Sequence, residues 1–126
     1  MNSKQKGDLC VSKAIAYYVE AGYEILLPLG DRRPYDLVIE NSEGKLLKVQ
    51  CKFTSYKSKH GIFTASLKVC GGNRSSGNRI KKYQKTDFDI LFVLTSEGSM
   101  YSVPYSDIDV TNSFNLGKQT EIWKVN

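Results

Sequence analysis

Apolar and polar residues alternate along two neighbouring stretches, residues 35–40 and 45–52, and the polar segment between them, Asn41-Ser42-Glu43-Gly44, reads as a tight turn. In the first stretch Tyr35, Leu37 and Ile39 share one face, and in the second Leu47, Val49 and Cys51 do. Pairing residues whose numbers sum to 86 brings these sets together: Ile39 opposite Leu47, Leu37 opposite Val49, Tyr35 opposite Cys51. A sum of 85 would set Leu37 against Lys48. The favoured register places Asp36 opposite Gln50, with Lys52 two residues further on. A carboxylate, an amide oxygen and an ammonium thus converge on the face away from the apolar layer.

Residues 8–21 carry Val11, Ala14, Ile15, Tyr18 and Val19 at the i, i+3, i+4, i+7, i+8 spacing of an amphipathic helix, which Gly22 stops. Residues 23–27 read as a short strand closed by Pro28, and residues 29–34 as a polar loop carrying Arg32 and Arg33 beside Asp36. After a Ser- and Lys-rich turn over 54–61, the alternation of Phe63, Ala65, Leu67 and Val69 predicts a half-buried strand over 62–70, hairpinned to the preceding one. Residues 71–79 contain no apolar side chain and repeat Gly-Asn-Arg, a composition that cannot bury itself and is expected to be mobile. Residues 89–94 are almost continuously apolar, as a central strand covered on both faces requires, and Glu97-Gly98 turns the chain into a strand over 100–104. Ser106 is placed to cap a helical turn, and residues 121–125 to form a last strand.

A length of 126 residues suits one domain spanning 1–126, with a core large enough to fold without cross-links. The net charge of +5 makes a polyanion a plausible partner. The cysteines Cys10, Cys51 and Cys70 are odd in number and lack CxxC spacing, which favours buried thiols in a reducing compartment. No apolar run follows the N-terminal residues, and none is long enough to span a bilayer, so a cytoplasmic protein with no membrane partner is expected. His60, the single histidine, has no Ser, Cys or Asp constellation around it, which argues against nucleophilic catalysis.

Asp36 with Gln50-Cys51-Lys52, a helix upstream, and the phrases Gly22-Tyr23-Glu24, Pro28-Leu29-Gly30 and Tyr35-Asp36-Leu37-Val38 resemble the PD-(D/E)XK nuclease superfamily. Within it they are most similar to small group I intron-associated homing endonucleases, in which Gln replaces the acid of the second motif. The resemblance implies an α/β fold with the restriction-endonuclease-like core: a mixed central β-sheet with the long N-terminal helix packed on it. It also implies metal-dependent phosphodiester hydrolysis, with Asp36, the Gln50 side-chain oxygen and the Cys51 carbonyl holding Mg²⁺ and Lys52 acting on the attacking water or the phosphate. Where the family often carries a helix Glu this chain has Val11. Asp8 is the candidate substitute, or else the helix N-cap.

The expected function is a sequence-specific double-strand DNA endonuclease, and cutting two strands calls for a homodimer or homotetramer. Arg32, Arg33, Lys57, Lys59, Lys68, Arg74, Arg79, Lys81 and Lys82 are the expected DNA contacts, because they offer cationic donors on loops around the catalytic hairpin. Two alternatives stay open: a Holliday-junction resolvase, and a catalytically inactive DNA-binding module on the same fold.

Overall fold

The computed structural model describes residues 1–70, 80–108 and 113–126. Helix α1 (Ser3–Glu20) begins earlier than the apolar spacing suggests, because Asn2 caps it: the Asn2 side chain accepts from the Gln5 N–H, and the Gln5 side chain accepts from the Asn2 N–H. The strands are β1 (Glu24–Leu26), β2 (Leu37–Glu40), β3 (Leu46–Thr54), β4 (Phe63–Ser66), β5 (Lys68–Cys70), β6 (Ile80–Lys82), β7 (Ile90–Thr95), β8 (Met100–Pro104) and β9 (Ser113–Leu116). The central sheet runs β1-β2-β3-β7-β8. Every neighbouring pair in it is antiparallel except β3–β7, so the sheet is mixed, as the resemblance implies.

The hairpin register is the expected one, with Leu37 opposite Val49 and Ile39 opposite Leu47. Its turn is held by Asn41, whose side-chain oxygen accepts from the N–H groups of Glu43 and Lys45, while Gly44 takes a φ of 82° that a side chain would strain. One face of the sheet packs on α1 through Cys10, Ala14, Tyr18, Leu37, Ile39, Val49, Cys51, Phe92 and Leu94. The helix stripe is therefore Cys10, Ala14 and Tyr18, one residue per turn, and the expected core residue Val19 is 54% exposed. The Tyr18 hydroxyl reaches Ser102 on β8 at 2.8 Å, tying the helix to the far side of the sheet.

The opposite face is covered too. Leu91 and Val93 turn that way and meet Ala65, Leu67, Phe88, Phe114 and Leu116, so β7 is buried on both sides, as its continuous apolar run predicts. The strand expected over 62–70 is interrupted at Leu67, and β4 pairs with β9 instead of returning along β3. Along β3, β2 pairs with residues 46–49 and β7 with residues 49–54, while β4 finds its ladder on β9. What remains of the hairpin is the Lys57–Phe63 bridge, the 3.0 Å bond from Thr64 N–H to Tyr56 C=O, and the Thr54 hydroxyl donating to the Thr64 carbonyl at 2.5 Å.

Two further expectations are corrected. Ser106 caps nothing: it lies inside a 3-10 turn, Tyr105–Asp107, whose N-cap position is Pro104. The last strand is replaced by a 3-10 helix, Lys118–Trp123, closed by the Thr120 hydroxyl on the Gly117 carbonyl at 2.8 Å, and only Lys124 bridges to Tyr101 of β8. Among the described residues no helix is long and apolar enough to cross a membrane.

Candidate active site

Asp36 stands just before β2, where the ladder departs from the simple register. Its N–H donates to the Val49 carbonyl at 2.8 Å, although Val49 is the ladder partner of Leu37. Two successive residues of one strand thus face a single residue of the other, which is a β-bulge, a device that re-aims a side chain. The pairing of Tyr35 with Cys51 is not formed. Alternation is reset across the bulge: Leu37 and Ile39 pack toward α1, whereas Tyr35 packs with the cluster on the other face. The Asp36 carboxylate turns onto the backbone of β3 and accepts from the Cys51 N–H at 2.8 Å.

Gln50, Cys51 and Lys52 follow one another along β3. Gln50 is only 8% exposed, so the face away from α1 is sheltered as well, with Leu91 and Val93 of the adjoining β7 packed into the second apolar cluster there. The Gln50 Nε2 donates to the Cys51 carbonyl at 3.2 Å. The Lys52 ammonium lies over the Tyr83 ring, 5.1 Å from its centroid. Behind the strand, the Cys10 thiol donates to the Lys52 carbonyl at 3.4 Å, tying α1 to this part of β3.

Burial dominates the electrostatics here. It pushes the Asp36 carboxyl above the ordinary carboxylate range, against the Cys51 N–H and the Lys52 charge, which both pull it down. Burial also lowers the Lys52 ammonium, and the Asp36 charge opposes that. The Cys51 thiol is held well above its usual range by its hydrogen bond with Cys10 and by burial, so it is an inert packing group. The Tyr83 phenol is pushed up to about 12, first by burial and then by Asp36 and Asp87.

Tyr83 was not among the residues that the sequence singled out. Its place depends on the β5–β6 pairing and on Phe88, against which it stands edge-on at 5.0 Å, and no local pattern carries that. Asp8 is exposed in the second turn of α1, and the N-cap role open to it belongs to Asn2. At 100° per residue it sits about 200° around the helix from Cys10, the residue that touches Lys52.

Arg32 and Arg33 are exposed and, with Pro28, Leu29, Gly30 and Tyr35, line an open pocket of about 500 Å³. Lys57 is committed to an ion pair with Glu97 and to the Phe63 ring, 4.8 Å away, while Lys59 is exposed. Lys68 pairs with Lys82, and Val69 with Lys81, across β5 and β6. Arg74 and Arg79, with the whole segment 71–79 expected to be mobile, lie outside the described residues. Lys85, which follows that basic segment, is structural: its ammonium donates to the carbonyls of Tyr105, which opens the 3-10 turn, and Ile108, which follows it.

Among the described residues no three His, Cys, Asp or Glu side chains gather as a metal site. Along this stretch stand one carboxylate, one backbone carbonyl and one side-chain amide, whose nitrogen rather than oxygen lies on the carbonyl; with the amide turned over, their oxygens form a donor set that suits a hard divalent cation with part of its shell supplied from outside.

The fold has known counterparts. Residues 1–122 match the family model described as PD-(D/E)XK endonuclease. Among solved structures, the chain is similar to the bacterial homing endonuclease I-Ssp6803I, with 31% identity and a TM-score of 0.79 over 96% of this chain and 82% of that one. No curated protein matches it. With residues 1–122 matched by the family model and 96% of the chain by a relative of 31% identity, the protein belongs to the PD-(D/E)XK endonuclease family.

Proposed function

We propose that this nuclease is a Mg²⁺-dependent, sequence-specific endonuclease that hydrolyses both strands of DNA, acting as a homodimer or homotetramer. The observation that carries the reading is the bulge-directed Asp36 carboxylate seated on the Cys51 N–H, beside Gln50 and Lys52 on one strand. Similarity over 96% of the chain to a homing endonuclease supports the same substrate class.

Asp36, the Cys51 carbonyl and the Gln50 amide oxygen are the residues that would hold the cation. In the present structure the amide nitrogen of Gln50 covers the Cys51 carbonyl, and a half-turn of the amide presents its oxygen instead. When bound, the cation supplies an acidified, positioned water and offsets charge growing on the phosphate oxygens. Lys52 donates from the same strand face to that water or to the phosphate, and the second apolar cluster keeps bulk water from competing with it. Arg32 and Arg33 hold a neighbouring phosphate, and Lys59, Lys68, Lys81 and Lys82 are proposed as further phosphate contacts.

The test is to incubate the purified protein with Mg²⁺ and a plasmid library and to sequence the ends produced. Recurrent paired ends at one sequence support the reading. Cutting confined to four-way junctions points to a junction resolvase, and binding without cutting to an inactive DNA-binding module.

A further inference from the structure

Lys52 is held in an unusual way for a half-buried ammonium. Among the described residues the ion pair present is Lys57 with Glu97, and the Lys52 Nζ makes no hydrogen bond. Its close neighbour is the face of Tyr83, 5.1 Å from Nζ to the ring centroid. A lysine stem is flexible and its head strongly hydrated, so without such a neighbour it would swing toward water.

The ring itself is firmly placed. It stands edge-on to Phe88, at 5.0 Å and 82°, and Phe88 is 1% exposed and stacked on Tyr105 at 4.2 Å. The stack belongs to the cluster under the sheet, so the ring is anchored to the core rather than to the surface. The chain thus presents an electron-rich face at a fixed distance from the strand that carries Lys52.

We propose that Tyr83 is a positioning residue for Lys52: its ring face, not its hydroxyl, holds the ammonium inside the site beside Asp36. The proposal rests on the nuclease reading for its consequence, since a displaced ammonium cannot meet the scissile phosphate, and misplacement of about 1 Å costs on the order of a hundredfold in rate.

The test compares the wild-type protein with Tyr83→Phe and Tyr83→Leu by two measurements. In metal-free, DNA-free protein, NMR reads the ring-current displacement of the Lys52 Cε protons. It is expected to persist in Tyr83→Phe and to vanish in Tyr83→Leu. With plasmid DNA and Mg²⁺, single-turnover cleavage at saturating DNA is expected to stay within about threefold in Tyr83→Phe and to fall at least about tenfold in Tyr83→Leu, with DNA affinity unchanged. Rescue by phenylalanine separates positioning from loss of packing. If the leucine variant does not fold, Tyr83→Met takes its place. Equal loss in the phenylalanine and leucine variants overturns the proposal in favour of the hydroxyl, and a Lys52 displacement that survives in Tyr83→Leu overturns it outright. Should the wild-type protein cut no DNA, the nuclease reading fails, while the NMR comparison still decides where Lys52 is held.

Discussion

The Asp36 carboxylate accepts a hydrogen bond from the Cys51 backbone N–H at 2.8 Å, taking over a ladder position that the β-bulge at Asp36 leaves open. A side chain therefore does the work of a carbonyl in joining β2 to β3, and the would-be metal ligand is tied to the strand that carries its partners. This single bond links the local geometry of the hairpin to the assembly of the site.

That link separates chemistry from stability. Asp36→Asn keeps an oxygen for the Cys51 N–H and is expected to fold almost as stably as the wild type, while losing the charge proposed to hold Mg²⁺. Asp36→Ala strands the N–H and should cost about 1–3 kcal/mol as well. Both variants, and Lys52→Ala, should abolish cleavage. Melting curves and single-turnover rates check this together; near wild-type cutting by Asp36→Asn would sink the assignment.

Gln50 offers an independent handle on the cation. Gln50→Glu sets a second carboxylate near Asp36 and replaces the amide that donates to the Cys51 carbonyl with a group that cannot when ionised. The metal-free variant should be less stable than the wild type, and Mg²⁺ should raise its melting temperature more, because binding to the folded state alone stabilises by RT ln(1 + [L]/Kd). Cleavage should change only modestly, since an oxygen ligand remains. Gln50→Leu removes that oxygen and should be nearly inactive. Calorimetric Mg²⁺ titration of the three proteins without DNA checks the order of affinities, and normal cutting by Gln50→Leu would remove Gln50 from the ligand set.

The cationic surface is expected to divide by salt dependence. Neutralising Arg32 and Arg33, or Arg74, Arg79, Lys81 and Lys82, should lower the log-log slope of DNA affinity against salt by about 0.9 for each phosphate that is no longer neutralised. Lys57→Gln should leave the slope unchanged, because Glu97 already pairs with that ammonium. Binding isotherms over a salt series decide it, and an unchanged slope in the four-residue variant would place the DNA surface elsewhere.

Alkali should loosen the helix. Burial raises the Tyr18 phenol well above its ordinary value, outweighing the bond to Ser102. A group whose pKa is higher in the folded state contributes stability that is complete below its unfolded value of about 10 and is lost as the pH rises toward the folded one. Unfolding free energy should therefore decline above about pH 10, and Tyr18→Phe should decline less steeply. Tyr83 and Tyr105 are shifted upward as well, so a residual slope remains. Denaturant titrations from neutral to alkaline pH measure both curves, and identical slopes would show that Tyr18 is not the group.

The alternation of Leu37, Ile39, Leu47 and Val49 determined the hairpin and its register, because a slip of one residue would have turned an apolar face to water and set Leu37 against Lys48. The unbroken apolar run of β7 likewise determined a strand covered on both sides. The family phrases around Asp36 and Lys52 determined the nuclease membership. What lay beyond local pattern was each feature that depends on a distant partner. The bulge exists because the Asp36 carboxylate bonds the backbone of a strand 15 residues away, so alternation alone wrongly kept Tyr35 on the face of Leu37. Of the strand expected over 62–70, Phe63–Ser66 pairs with β9 and Lys68–Cys70 with β6, partners that alternation within the segment does not name. Tyr83 meets Lys52 only after residues 31 positions apart are brought together by the aromatic stack beneath the sheet. Periodicity reports which way a side chain faces within its own element, whereas the choice of partner across elements is made by packing and hydrogen-bond competition in the assembled core.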